Sequence, residues 1–298
     1  MQTVTPCIWC NGTADEAAEF YAGVFPDSSI IQTDRYPTEG LLDFQQPLAG
    51  QTLTQLLDLN GYRMMLINAG DEFAPNPSIS FFINVDPGVF DNPRRLIDEL
   101  WAKLTDGGHV LMPLGDYPHS EYYGWVADRF GVSWQLMLTD PAGEPRPFIV
   151  PDLMFCGPNQ NRATEAVDTY VGLFRDARLG TRVHYPAPQG PVTTESVIFS
   201  EFTVQGEWLA AMDSGVEQNF TFTEGVSLMV EVPGQEEIDR LWAVLAHEEQ
   251  PCGWCRDEFG VSWQIVPDNL GELLRRPGAF ETFMGMTRIV IGDFPPAA

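Results

Sequence analysis

Hydrophobic and polar positions alternate along Thr3–Cys10, a β-branched and aromatic run that predicts a strand, turned by Asn11-Gly12. The period then changes. Ala17, Phe20, Tyr21 and Val24 recur at helical spacing, so a helix reaching about Val24 is predicted, with Thr13 as N-cap and Glu16 as its capping-box partner. Strand-like runs follow at Ser29–Tyr36, Gln51–Leu59, Tyr62–Asn68 and Ser78–Val85, with Asn60-Gly61 as a hairpin turn. A second amphipathic helix is predicted over about Pro93–Leu104, and a last strand contains Val132–Leu138. This order, strand, helix, strands, helix, strands, is an α+β pattern and not the regular alternation of a parallel sheet.

The same pattern then returns. Ala14–Phe25 (ADEAAEFYAGVF) matches Ala163–Phe174 (ATEAVDTYVGLF), and Ile97–Leu104 (IDELWAKL) matches Ile238–Leu245 (IDRLWAVL). The closest correspondence is Gly124–Gln135 (GWVADRFGVSWQ) with Gly253–Gln264 (GWCRDEFGVSWQ). Blocks repeated in one order imply two homologous modules, 1–147 and 148–298, joined through the proline-rich Thr139–Pro151.

Composition narrows the partners. The 298 residues carry 16 basic against 42 acidic side chains, a net charge of −26, which disfavours nucleic acid and anionic membrane. Hydrophobic residues at 44% suffice for a sizeable core, and no apolar run is long enough for a membrane span. The N-terminus lacks the features of a signal peptide and the five cysteines do not form a secreted framework, so cytoplasmic residence with reduced thiols is expected. Two Cys-x-x-Cys pairs, Cys7/Cys10 and Cys252/Cys255, invite a zinc or redox reading. Strand alternation sends Cys7 and Cys10 to opposite faces, which disfavours it. Neither a Ser-His-Asp order nor a P-loop occurs, and no Gly-x-Gly turn opens a helix for a nucleotide-like cofactor.

The blocks TPCIWCNGTADEAAEFYAGVFPDSSI, SISFFINV and IDELWAKL, with the twice-present Gly-Trp…Asp-x-Phe-Gly-Val-Ser-Trp-Gln signature, resemble the PhnB-like branch of the vicinal oxygen chelate superfamily. That superfamily includes glyoxalase I and bleomycin-resistance proteins, and the branch is often labelled 3-demethylubiquinone methyltransferase. The resemblance implies paired βαβββ units whose sheets curl into open cups, with helices on the convex face and ligand on the concave face. It also implies a pseudo-dimer within one chain, present as a monomer or as a homodimer.

In that superfamily, four strands generally supply His, Glu or Gln to a divalent metal. The corresponding positions fall near Thr5, Asn68, Ser80 and Gln135 in the first module, and near Val150, Asp213, Ser227 and Gln264 in the second. Only Asp213 offers a charge, and all four histidines (His109, His119, His184, His247) lie outside these strands, in loops or at a helix end. Neutral amides and hydroxyls do not offset a dication's dehydration, so no metal and no other cofactor is expected. A pocket for a small organic ligand is expected instead, built from Thr5, Trp9, Asn68, Ser80, Ser133, Gln135, Asp213, Ser227 and Gln264. Such a protein would sequester its ligand or confer resistance to it. Trp134 reads as core; Trp9 reads equally as core or as an aromatic wall, and Trp125 and Trp254 as a lid or a packing plug. Two rivals remain: a metal-dependent lyase, isomerase or dioxygenase coordinating through Asp213 and Gln264, and a module kept only as a structural partner.

Overall fold

The computed structural model describes residues 2–297 and contains four βαβββ units. The first is β1 (Val4–Asn11), α1 (Ala14–Val24), β2 (Ser28–Arg35), β3 (Thr52–Leu59) and β4 (Tyr62–Ala69). The second is β5 (Ile79–Val85), α2 (Pro93–Thr105), β6 (His109–Tyr117), β7 (Ser120–Ala127) and β8 (Ser133–Leu138). The third is β9 (Ile149–Phe155), α3 (Ala163–Leu173), β10 (Arg178–His184), β11 (Val197–Val204) and β12 (Glu207–Asp213). The fourth is β13 (Val226–Val232), α4 (Gly234–Leu245), β14 (Glu248–Glu249), β15 (Trp254–Arg256) and β16 (Ser262–Pro267), followed by α5 (Leu270–Leu274) and α6 (Ala279–Met284).

The units pair across the repeat. Sheet A runs β14-β15-β16-β13-β1-β4-β3-β2 and so joins the fourth unit to the first; sheet B runs β10-β11-β12-β9-β5-β8-β7-β6 and joins the third to the second. The seams are antiparallel, Cys7 opposite Ser227 in sheet A and Ser80 opposite Asp152 in sheet B. Each cup therefore draws half of its floor from each sequence repeat, a strand exchange that the repeat itself does not disclose.

The repeated signature has a structural reason. Trp134 and Trp263 are fully buried, and a buried indole N–H needs an acceptor. Asp128 supplies it in sheet B: its carboxylate accepts from Trp134 Nε1 (2.8 Å), Tyr21 Oη (2.8 Å) and the amides of Phe130 and Val132. Asp257 repeats the arrangement with Trp263, Tyr170, Phe259 and Val261. The intervening Gly131 and Gly260 have φ of 82° and 86°, a left-handed conformation that favours glycine. Because Tyr21 lies on the first unit's helix and Asp128 on the second unit, each knot also ties one sheet to the other.

Two local expectations change. Thr13 makes no side-chain cap; Asn68 Oδ1 accepts from the Ala14 amide instead, and Asp213 Oδ1 does the same for Ala163 at the start of α3. His109 and His184 lie at the ends of edge strands β6 and β10, not in loops.

Candidate functional site

The concave face is fixed by strand alternation and register. In sheet A, Thr5, Cys7 and Trp9 of β1 share a face with Met65 and Ile67 of β4, Ser227 and Met229 of β13 and Gln264 of β16. Gln264 Nε2 donates to Ser227 Oγ at 2.8 Å. Burial pushes the Cys7 thiol up to about 12, so it stays protonated and neutral. Trp9 forms a wall: Nε1 donates to Gly70 O at 2.8 Å, and its ring meets Phe73 and Trp254 edge-on at 5.1 and 6.0 Å. Trp254 is thus part of that wall, on β15 opposite Gln264.

Sheet B has the same positions with different chemistry. Ser80 lies between Asp152 on β9 and Ser133 on β8, and Gln135 of β8 follows on the same face. Gln135 Nε2 donates to Ser80 Oγ (2.8 Å) and Asp152 Oδ2 (2.9 Å), and its Oε1 accepts from Tyr123 Oη (2.5 Å). Trp125 of β7 donates from Nε1 to Ser133 Oγ at 3.3 Å, so it too is a wall. Asp152 is 0% exposed, and its Oδ1 has no hydrogen-bond partner. Burial lifts its carboxyl to about 7, with Gln135 and Ser80 acting in the other direction. Tyr123 is pushed up as well, by burial and by Asp152 beside it.

The residues expected from sequence therefore divide between two cups. Thr5, Trp9, Ser227 and Gln264 come together in sheet A; Ser80, Ser133 and Gln135 come together in sheet B, with Val150 beside Phe82. Asn68 and Asp213 join neither floor. They pair with Cys10 and Phe155 on the helix face, and both Asp213 oxygens accept backbone amides, from Ala163 at 3.1 Å and Val197 at 2.8 Å. Asp213 and Gln264 lie on different sheets, which removes the metal pair that would have joined them. Asp152 and Tyr123 complete the sheet B floor and lie outside the set of pocket residues expected from sequence. The signal for Asp152 was its place opposite Cys7 in the repeat, two residues beyond Val150 on the alternating face.

Beside its amides and hydroxyls the concave face of sheet B offers Asp152 and the Arg146-paired Glu201, and among the described residues no three His, Cys, Asp or Glu side chains converge as a metal site would require. A cavity of about 250 Å³ opens on the sheet B side, lined by Asn84, Met137, Phe199 and Glu201 together with His119 and Arg146.

Comparison with known proteins fits this architecture. The sequence model of the family described as 3-demethylubiquinone-9 3-methyltransferase matches residues 2–137 and again 147–266. The chain belongs to this family. Among solved structures of similar proteins, the PhnB protein of Bacillus cereus is 32% identical over 46% of this chain and 100% of its own, with a TM-score of 0.39. Glyoxalase I from Zea mays is 13% identical over 90% of this chain and 93% of its own, with a TM-score of 0.58. The latter likeness shows the fold, a glyoxalase-like pair of curled sheets. No protein with a curated function matches. Within this 3-demethylubiquinone-9 3-methyltransferase family, the present chain carries the tandem, strand-exchanged form, and no helix among its described residues is long and apolar enough to cross a membrane.

Proposed function

We propose that the protein binds a small organic molecule on the concave face of sheet B without a glyoxalase-type metal, as a sequestering or resistance-type protein would. One observation carries this reading. The concave face of sheet B carries a cavity of about 250 Å³, lined from β5, β8, β10, β11 and the segment before β9, beside a floor of amides and hydroxyls that includes the buried Asp152. Asp152 among amides and hydroxyls, with Glu201 already paired to Arg146, does not suit a dication, which needs several anionic or imidazole donors. The turn from β1 into α1, Asn11-Gly12-Thr13, lacks the glycine pattern that seats a nucleotide-like methyl donor. Binding is therefore the activity these residues support, in place of methyl transfer.

For sheet A a structural role is favoured, because α6 spans its two edges. Met284 Sδ lies 3.6 Å from Cys252 Sγ beside β15 and 3.9 Å from Gln45 Nε2 in the β2–β3 connection. Native mass spectrometry of protein purified without chelators tests the proposal. An organic mass released on denaturation, with no stoichiometric metal, supports it. Stoichiometric zinc, manganese, iron or nickel that survives dialysis overturns it.

A further inference from the structure

We propose that segment 139–148, which joins the two repeats, is the gate of cup B, latched shut by Arg146 against Glu201. This rests on the binding reading above and adds how its site opens. The segment crosses from β8 to β9, and its residues Thr139, Asp140, Gly143, Glu144, Pro145 and Arg146 line the cavity of about 250 Å³. Both of its ends are pinned to β5. The Thr139 amide donates to Val85 O (3.2 Å), and Asn84 donates from N to Phe148 O (2.8 Å) and from Nδ2 to Pro147 O (2.9 Å). Residues 140–145 between these ends are exposed. Among the described residues, the hydrogen bonds and ion pairs from this segment to β10, β11 and β12 run through Arg146 and Glu144 alone. Arg146 donates to both Glu201 oxygens at 2.9 and 2.7 Å, its guanidinium lies 4.1 Å over the Trp208 ring, and Glu144 pairs with Arg178 at 3.6 Å.

The corresponding segment of cup A is held in another way. After β16 the chain runs through α5 and α6, and Leu273, Ala279 and Ile289 are 1%, 0% and 0% exposed. The carbonyls of Met286 and Thr287 also accept the amides of Cys252 and Gly253. An apolar seal of this kind gains nothing by opening, because the surface it uncovers meets water at a cost. An ion pair differs. Once separated, its charges recover hydration, which offsets much of the lost attraction, so the latch can release without unfolding either sheet. The Arg146 and Glu201 side chains are 18% and 13% exposed, near enough to the surface for water to reach them on release. The floor beneath is shielded while the latch is closed: Asn84, opposite Met137 on the concave face, is 6% exposed. Cup A is thus sealed and cup B gated.

Thiol accessibility tests this without a ligand. In the full chain, Asn84→Cys places a thiol on the cup B floor and Met229→Cys places one on the cup A floor. The rate of reaction with methyl methanethiosulfonate is read at each by peptide mass, apart from the five native cysteines. Cutting the latch with Arg146→Ala should speed reaction at the cup B thiol by about tenfold and leave the cup A thiol unchanged. Arg146 lies outside both sheets. Should its loss strain sheet B by leaving Glu201 unpaired, the double variant Arg146→Ala/Glu201→Gln removes both charges and should give the same contrast. An unchanged rate at the cup B thiol overturns the gate. So does an equal rise at both thiols in both variants, which would make the pair a brace of the whole fold. The readout stands apart from the native mass spectrometry above. An ungated cup in a protein that retains an organic mass removes the gate alone; a protein that retains no organic mass loses the binding reading, and the gate its role, whatever the thiol rates.

Discussion

The floors of the two cups share a glutamine and a serine and differ in two partners. Gln264 and Ser227 in sheet A face Cys7, with Cys252 at the position corresponding to tyrosine; Gln135 and Ser80 in sheet B face Asp152 and Tyr123. A thiol accepts burial as a neutral group, so the sheet A floor is electrostatically quiet. A carboxyl in the same position is forced toward its protonated form and keeps one oxygen unsatisfied. The comparison teaches that duplication preserved the frame, the Asp128 and Asp257 knots, and left the floor free to diverge. Frame and floor can be perturbed separately.

The largest effect belongs to the frame. Asp128→Ala or Asp257→Ala strands four buried donors, and each should cost on the order of 4 kcal/mol in urea unfolding. A loss under about 1 kcal/mol at either site would mean that the knots are dispensable.

Asp152→Asn should give the next largest effect, and its pH dependence has a fixed sign. The folded carboxyl titrates near 7, above its unfolded value near 3.8, so the native state holds a proton that the unfolded state releases. The contribution to stability is therefore present below about pH 4, falls as pH rises toward 7, and is flat above. Asparagine removes this slope, so the variant should gain on wild type by on the order of 3 kcal/mol between pH 4 and pH 8. Asp257, lifted to about 6, contributes with the same sign to both proteins and cancels in the difference.

Transplanting the acid sharpens the comparison further. Cys7→Asp places an unpaired carboxylate on the sheet A floor, where Gln264 has no tyrosine to orient it, and should destabilise by about 2–3 kcal/mol at pH 8 and less at pH 5. Equal losses at the two pH values would point to steric strain in place of charge. The smallest effect is Tyr123→Phe, which removes one buried hydrogen bond to Gln135 and should cost about 1 kcal/mol. Thermal melting suffices to measure it.

Much of the fold was legible because local signals and packing agreed. The helices over Ala14–Val24 and Pro93–Thr105 and the strand ending at Leu138 follow their apolar periods closely. The pairing of units was not legible, since seams such as Ser80 opposite Asp152 are non-local and leave no mark on either strand alone. The floors were half legible. Ser80, Gln135, Ser227 and Gln264 stood at alternating positions near a strong signature, whereas Asn68 and Asp213 mimicked floor residues from the opposite face, where they hold helix N-termini. Asp152 corresponds to Cys7 in the other repeat, a difference visible in the sequence, whereas its burial against Gln135 and Tyr123 depends on pairing across the repeats and is not.

The most direct measurement is a side-chain carboxyl carbon-13 NMR titration of the full chain, with the Asp152 resonance assigned by its loss in Asp152→Asn. The account predicts a midpoint near pH 7 for that carboxyl. A midpoint in the ordinary aspartate range would contradict it.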